Sequence, residues 1–357
     1  MTEPAKRVPE VIRTNGTFVR VPGSKKDGLL VAKGRSSGRA GEGVVSEHVS
    51  IWGELSDVDH ELSHVDVAGV RTRVLRAGSG PDLFLLHGTG GHLEAYARDI
   101  TGLAKDFRVT AYDMVGHGWS DLPDHPYTID VLSDHLVGLM DALGVERAHL
   151  SGESLGGWVV AWTAAYHPDR VDRLVLNTPG NIANKPEVMA KVRDTTLAAV
   201  LDPSDANVRP RVEFLFHHKE MVTDELVDLR RAVYGRPGFE QAIRNTLVLQ
   251  DPEVRKDFAW EPAWVGKVTA PTLLLWTEHD PTGGIDEAAM LLEWLPDAHL
   301  HVIKDAGHWP QWEKVDEFLR VHRDFLLWKW IDHSARSEPS APTPTNDVTE
   351  PARGRRG

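Results

Sequence analysis

Three residues whose side chains together can make a nucleophile occur in the order Ser, Asp, His along the chain. Ser154 lies in GESLG, Asp280 ends LLLWTEHD, and His308 ends VIKDAGH. A serine hydroxyl is a weak nucleophile until an imidazole accepts its proton, and a carboxylate fixes the imidazole tautomer and stabilises its charged form. These residues are therefore candidates for the nucleophile, the general base and the orienting acid of a catalytic triad.

The glycines around Ser154 have a mechanical purpose in this interpretation. Gly152 and Gly156 let a strand and the following helix approach closely, while Ser154 takes a strained conformation that exposes its hydroxyl. The backbone N–H of Leu155, at the helix start, and that of Thr89, in HGTGG, are expected to converge on the developing oxyanion. One such donor typically lowers a reaction barrier by ~3 kcal/mol.

Each candidate has an alternative interpretation. Ser154 is also compatible with a serine that only packs, because a G-x-S-x-G segment can arise by chance in a chain with 31 glycines. His308 is also compatible with a histidine buried in the core. Asp286 and Asp305 compete with Asp280 as the orienting acid. We favour Asp280 because it directly follows an apolar strand, whereas Asp286 opens the next helix as a first-turn acid.

Six other histidines are assigned structural positions and no part in the chemistry. His87 and His117 are expected to shape the loops in which they lie. Two further pairs have no partner carboxylate at metal-binding spacing in the sequence, and we assign them to surface or strand positions: His217-His218 and His299-x-His301. The sequence therefore predicts no metal site and no cofactor.

The segments that carry the candidates belong to an alternation of strands and helices. Eight short runs rich in Val and Leu end in Gly, Asp or Asn, and several are apolar throughout, which is typical of strands covered on both faces. Apolar residues at helical spacing mark 128–143, 155–167, 285–295 and 311–327. The pattern predicts a mostly parallel sheet with helices on both faces, entered through a hairpin at HVDVAGVRTRVLRAG.

One stretch, residues 180–262, has helix-like segments such as TDELVDLRRAVYG but no convincing strand. An all-helical insertion between two strands of a parallel sheet is expected to form a lid over the strands' C-terminal edge, where such sheets bind ligands. The expected organisation is an N-terminal extension (1–60), the two parts of the core (61–179 and 263–330), the lid (180–262) and a disordered C-terminal tail (331–357). The tail is rich in Pro, Ser and Thr, and the extension is expected to be partly flexible.

The composition of the chain limits the classes of molecule that it is expected to bind. The formal charge of −13 disfavours nucleic acid and requires a local arginine if the substrate is an anion. The chain has no cysteine, no apolar run of the roughly 20 residues that cross a bilayer, and no secretory signal at its N-terminus. These features predict a soluble, cytoplasmic protein that acts on a small molecule and does not engage membranes.

The four motifs in this order resemble the α/β-hydrolase fold over roughly residues 62–330. The expected fold class is therefore α/β, with a mostly parallel sheet, helices on both faces and the helical lid insertion. A serine at the nucleophile position excludes the relatives that use aspartate there, the haloalkane dehalogenases and epoxide hydrolases.

The segment GHWPQWEKVDEF, residues 307–318, resembles that of the meta-cleavage-product hydrolases, which cleave a carbon–carbon bond in 2-hydroxy-6-oxo-dienoates during aromatic-ring degradation. That family has tryptophans after its catalytic histidine, matched here by Trp309 and Trp312. VTDELVDLRRAVYGRPG resembles its lid and aligns Arg230 with an arginine that contacts the substrate's polar end. The resemblance thus assigns four residues to substrate binding: Arg230, Trp309, Gly88 and Gly90.

The chain departs from the family pattern in places. HGTGG is shorter than the family's HGGGPGA, a family asparagine aligns loosely with Asp99, and residues 1–60 have no counterpart. The family also suggests a homodimer or a higher homo-oligomer.

The resemblance implies a reaction sequence. Arg230 and His308 would assist ketonisation of the dienol, and Ser154, or a water that it positions, would attack the C6 carbonyl while Asp280 orients His308. A carboxylesterase or lactonase remains the alternative, because the same triad serves ester cleavage equally well. A catalytically silent binding protein is a third possibility, although no triad residue is missing.

Overall fold

A computed structural model describes residues 50–327; the expectations for residues 1–49 and 328–357 lie outside the described range. Eight strands form one sheet: β1 His60–Val67, β2 Val70–Ala77, β3 Asp82–Leu86, β4 Arg108–Tyr112, β5 Ala148–Glu153, β6 Val171–Asn177, β7 Thr272–Thr277 and β8 Ala298–Ile303. Their spatial order is β1-β2-β4-β3-β5-β6-β7-β8. β1 and β2 form the expected antiparallel hairpin, β2 pairs antiparallel with β4, and all later pairings are parallel. The predicted α/β fold is confirmed.

Both faces of the sheet are buried, as the apolar strands predict. In β3, Leu83 and Leu85 belong to one hydrophobic cluster, whereas Phe84 and Leu86 belong to the cluster on the opposite face. This alternation follows from the two-residue period of side chains along a strand. The helices outside the β6–β7 connection cover these faces: α1 Ala97–Leu103, α2 Ile129–Ala142, α3 Leu155–Tyr166, α10 Ile285–Trp294, α11 Pro310–Glu313 and α12 Val315–Leu326.

The connection from β6 to β7 contains helices and no strand, as the sequence predicts. It comprises α4 Pro186–Leu201, α5 Asp205–Glu213, α6 Asp224–Tyr234, α7 Phe239–Leu247, α8 Pro252–Arg255 and α9 Pro262–Val265. We call this connection the helical insertion. Within the part of the chain that the structure describes, no helix has the length and apolar character needed to span a membrane.

Residues 50–59, which the sequence analysis groups with the N-terminal extension, pack against the fold. Ile51 and Leu55 are buried. The Ile51 N–H donates to the carboxylate of Glu225 on α6 at 3.0 Å. The burial of these two apolar side chains stabilises the packing of the segment, although the sequence before it has the composition of a loop.

Candidate active site

Ser154 lies on a sharp turn between β5 and α3. Its backbone has φ 54° and ψ −115°, a strained conformation for a residue with a Cβ. A Cβ on Gly152 would lie 2.2 Å from the carbonyl oxygen of Gly156, and one on Gly156 would lie 2.4 Å from the carbonyl oxygen of Leu86. Only glycine fits at these two positions, because a side chain would force β5, α3 and β3 apart. The local geometry therefore matches the predicted nucleophile turn.

Asp280 and His308 come together beyond the ends of β7 and β8. The His308 Nδ1 atom lies 2.9 Å from Asp280 Oδ1 and 3.0 Å from Asp280 Oδ2. Thr282 donates its hydroxyl to Asp280 Oδ1 at 2.8 Å, and its Oγ1 atom lies 3.1 Å from His308 Nδ1. These contacts fix the imidazole ring through Nδ1 and direct Nε2 toward β5. Thr282 was not identified from the sequence.

The alternative acids lie elsewhere. Asp286 is in the first turn of α10, with Oδ2 3.9 Å from Lys185 Nζ. Asp305 pairs with Lys314 at 2.6 Å. Neither carboxylate contacts His308 in the described structure, so the choice of Asp280 agrees with the geometry.

A glutamate that the sequence analysis did not consider lies at the other ring nitrogen of His308. Glu153, the residue before Ser154, is 2% exposed, and its Oε1 atom lies 3.1 Å from His308 Nε2. Among the hydrogen bonds of the described residues, none involves Ser154 Oγ. Burial lowers the pKa of His308, but Asp280 and Glu153 more than offset this effect and raise it to about 10. The imidazole is thus held between two carboxylates.

The predicted oxyanion donors lie beside Ser154. Leu155 is the first residue of α3, and the first N–H groups of a helix have no acceptor within that helix. Thr89 lines the same two cavities as Ser154. A Cβ on Gly88 would lie 2.9 Å from Ser154 Cβ, which shows how closely the HGTGG loop approaches the serine. This arrangement fits an anion at the Ser154 side chain.

Two histidines shape these loops, as predicted. His87 Nε2 accepts the N–H of Met114 at 3.2 Å, so its Nδ1–H donates to the carbonyl oxygen of Gly88 at 2.9 Å. Burial lowers the pKa of His87 well below its ordinary value and that of His117 to about 4. Both rings are therefore neutral structural groups at pH 7.

Arg230 of α6 reaches the same site from the helical insertion. Its side chain is buried, its Nη1 atom donates to the carbonyl oxygen of Gly90 at 2.6 Å, and its Cζ atom lies 5.7 Å from the ring centre of Trp309. Within residues 50–327, its Nε and Nη2 atoms have no hydrogen-bond partner. Gly88 lines the same cavity as Arg230 and Trp309, so the structure brings together all four residues that the sequence assigned to substrate binding.

A second buried arginine, Arg211 of α5, was missed by the sequence analysis. Its Nε donates to Thr196 Oγ1 at 2.9 Å, and its Nη1 has no partner among the described residues. Burial lowers its pKa. Nothing in the sequence around Arg211 distinguishes it from the half-buried Arg209, which pairs with Asp205.

Two cavities meet at Ser154 and Thr89. The first holds both arginines together with His308, Trp309 and Glu153, and the apolar side chains of Val192 and Leu215 also line it; we call it the polar cavity for its charged groups. The second is lined on one side by Val188, Val192 and Leu249, which are apolar, and otherwise by polar groups such as Thr246 and Gln250. The groups around the serine therefore include two guanidinium groups in the first cavity and apolar side chains in both cavities.

Asp99, which aligns loosely with a family asparagine, is fully buried in α1 and belongs to neither of these cavities. Burial raises the pKa of its carboxyl group well above the ordinary range. The group has no hydrogen-bond partner in the described part of the chain.

The expectation that His217-His218 has no partner carboxylate at metal-binding spacing is wrong for the folded chain, where both rings lie close enough to Asp305 to share a metal ion with it. Asp305, 87 residues from His218, places its Oδ1 atom 3.1 Å from His218 Nε2 and 3.5 Å from His217 Nε2. Folding brings distant segments together there, which residue spacing does not reveal. His299 and His301 lie in β8 as expected, although His301 Nε2 also contacts Glu317, at 2.8 Å.

Comparison with known proteins gives consistent relatives. A family model described as the alpha/beta hydrolase fold matches residues 81–315. A 2-hydroxymuconate semialdehyde hydrolase of Pseudomonas sp. (strain CF600) is 33% identical over 72% of this chain and 91% of its own length. A 2-hydroxy-6-oxo-6-phenylhexa-2,4-dienoate hydrolase of Comamonas testosteroni is 31% identical over 74% of this chain and 94% of its own. The solved meta-cleavage product hydrolase from Pseudomonas fluorescens IP01 is 32% identical, with a TM-score of 0.66 over 74% of this chain and 96% of that one.

Proposed function

The chain belongs to the α/β-hydrolase fold family and, within it, to the meta-cleavage-product hydrolases, and we propose that it cleaves the carbon–carbon bond of a 2-hydroxy-6-oxo-hexa-2,4-dienoate through Ser154. Support comes from the relatives, whose printed names are those of hydrolases of such compounds.

The observation that carries the proposal is the buried Arg230 beside Ser154. Its Nε and Nη2 atoms are unpartnered among residues 50–327, and the polar cavity that it lines also contains Ser154. A buried guanidinium with two unpartnered nitrogens favours an anion as its ligand, and the planar group binds a carboxylate through two parallel hydrogen bonds. A dienoate provides such an anion, because it carries a carboxylate and a 2-hydroxy group at one end. An uncharged ester does not.

The proposed reaction begins with ketonisation. The 2-hydroxyl group loses its proton and C5 gains one, while Arg230 holds the carboxylate. His308 accepts the hydroxyl proton of Ser154, and the serine oxygen, or a water that it positions, attacks the C6 carbonyl.

The oxyanion that forms at C6 accepts hydrogen bonds from the backbone N–H groups of Thr89 and Leu155. When the C5–C6 bond breaks, its electron pair moves through the conjugated chain toward the C2 oxygen. The C2 oxygen takes up the proton that His308 accepted, which gives a 2-hydroxy-dienoate. After attack by the serine oxygen, the acyl group stays on Ser154 until water releases it as a carboxylic acid; after attack by water, the acid forms directly. Asp280 orients His308 and stabilises its charged form throughout.

The helical insertion serves as the lid in this proposal. It contributes Arg211, Arg230 and Val192 to the cavities around Ser154. The carbonyl oxygen of its Leu215 also accepts the backbone N–H of His308 at 2.7 Å. Excluding water strengthens the electrostatic contacts of the site and protects the dienone from side reactions.

The test is the loss of the yellow dienolate absorbance of 2-hydroxy-6-oxo-6-phenylhexa-2,4-dienoate and its 6-methyl analogue. Fast decay that Ser154→Ala abolishes, with slow turnover of a p-nitrophenyl ester, is expected. Ester turnover with both dienoates unchanged would refute the carbon–carbon hydrolase and indicate an esterase or lactonase.

A further inference from the structure

Glu153 contacts Nε2 of His308, the ring nitrogen that would accept the hydroxyl proton of Ser154. Its Oε1 atom lies 3.1 Å from His308 Nε2, and its side chain is as buried as the catalytic ring. The other oxygen, Oε2, is buried and has no hydrogen-bond partner in the described range. A Cβ on Gly88 would lie 2.7 Å from that oxygen, so the carboxylate is packed against the oxyanion loop. Glu153 is therefore part of the reacting site and not of the surrounding core.

The two contacts of His308 determine its protonation. A carboxylate accepts hydrogen bonds and cannot donate them unless it is protonated. Asp280 faces Nδ1 and Glu153 faces Nε2, so the ring satisfies both carboxylates only by donating from both nitrogens, as an imidazolium. An imidazolium has no lone pair on Nε2 with which to accept the hydroxyl proton of Ser154.

We propose that Glu153 is a positioning residue that competes with Ser154 for His308 Nε2 and holds the resting enzyme in a state with a protonated, serine-detached histidine. This inference rests on the proposed catalytic roles of Ser154 and His308. Activation requires the Nε2 proton to leave, either to Glu153, which then becomes a neutral carboxylic acid, or to solvent. The freed lone pair then accepts the proton of Ser154, as the proposed mechanism requires.

The charges around the ring come from several elements. Asp280 and Glu153 are the carboxylates in contact with it. Three other charged groups lie nearby. Arg211 on α5 and Arg230 on α6 line the same polar cavity, and Glu313 on α11 accepts the backbone N–H of Gly307. The arginines oppose protonation of His308, and the carboxylates favour it. The pKa of His308, which burial alone would lower, is raised to about 10 by Asp280 and Glu153.

The experiment compares Glu153→Gln with a matched control, Glu287→Gln. Both glutamates are 2% exposed, but Glu287 pairs with Lys185 at 2.7 Å and does not contact His308. The titration midpoint of His308 is followed by NMR of the imidazole-labelled protein, with its signal assigned by its loss in His308→Ala. Glu153→Gln is expected to lower this midpoint by at least about one pH unit, and Glu287→Gln to leave it unchanged.

A second readout measures the reactivity of Ser154 without the proposed substrate. The labelling rate with a fluorophosphonate is measured from pH 6 to 10, with Ser154→Ala as the blank. Glu153→Gln is expected to label at least about tenfold faster than the unaltered enzyme at pH 7, because more of its His308 is neutral there. If Glu153→Gln is unstable, Glu153→Ala is used for both readouts.

The outcomes separate the two proposals. An unchanged His308 midpoint, or slower labelling with an unshifted pH profile, would overturn the role of Glu153. A lowered midpoint together with faster labelling supports it, even if no dienoate is cleaved, and in that case only the proposed substrate is wrong.

Discussion

Replacing Arg230 by Met tests whether the buried guanidinium binds the substrate's carboxylate. Met fills a similar volume, keeps the stem of the side chain and removes all five N–H donors. In the unaltered chain one donor is used by the carbonyl oxygen of Gly90, while Nε and Nη2 are unpartnered among the described residues. The variant thus removes two guanidinium nitrogens, with three N–H donors between them, that are available to a ligand.

The magnitude follows from the burial of Arg230. A hydrogen bond to a charged group contributes about 1.5–3 kcal/mol. For an anion held by two such bonds at a site 2% exposed, the loss is about 3 kcal/mol after partial compensation by water. This corresponds to a roughly 100-fold lower kcat/KM for the dienoate, since 1.36 kcal/mol is tenfold. An uncharged p-nitrophenyl ester does not use these donors, so its kcat/KM is expected to change less than about threefold.

The assay is kcat/KM for both substrates in Arg230→Met and in its neighbour Arg231→Met. Arg231 is a suitable control because its guanidinium pairs with Asp228 at 2.9 Å and is 41% exposed. Equal losses for ester and dienoate in Arg230→Met would refute the reasoning, because Arg230 would then act by holding the oxyanion loop at Gly90. Equal dienoate losses in the two variants would also refute it.

Three further predictions concern the turn, the triad and pH. Gly156→Ala is expected to lower the free energy of unfolding by about 1–3 kcal/mol, because its Cβ would lie 2.4 Å from the carbonyl oxygen of Leu86. The measurement is a urea titration. An unchanged midpoint of unfolding would contradict the close packing of β3 and α3. Thr282→Val removes the hydroxyl that donates to Asp280 at 2.8 Å and is expected to slow fluorophosphonate labelling about tenfold, whereas Thr195→Val on the exposed face of α4 is expected to label normally. The folded pKa of His308, about 10, lies above its ordinary value of 6.5, so its ion pairs stabilise the fold fully below pH 6.5 and this stabilisation is lost as pH rises through 10. The difference in unfolding free energy between the unaltered protein and His308→Ala is therefore expected to shrink between pH 7 and 10, and a constant difference would contradict the raised pKa.

The sheet, and the choice of Asp280 as the carboxylate beside His308, could be predicted from the sequence because local signals encode them. The strands are short apolar runs with polar ends, and Asp280 is distinguished from Asp286 by its position directly after one. The spatial exchange of β3 and β4 is not local, since it depends on which strands pair after folding. Hydrophobic patterning along the chain therefore does not reveal it.

The missed residues share a physical cause. The sequence shows Glu153 within GESLG, but it does not specify the direction in which a side chain at the end of a buried strand points. Arg211 and Arg209 are two residues apart on α5, and only packing decides that the first is buried and the second pairs with Asp205. Asp305 reaches His217-His218 across a long chain separation. Side-chain direction and long-range contact are therefore what the sequence left open.

The most direct test of the central claim is product stoichiometry in a single turnover of 2-hydroxy-6-oxo-6-phenylhexa-2,4-dienoate. The account predicts one benzoate and one 2-hydroxypenta-2,4-dienoate per substrate consumed, and neither product with Ser154→Ala. Release of benzoate from a benzoate ester, without either product from the dienoate, would contradict it.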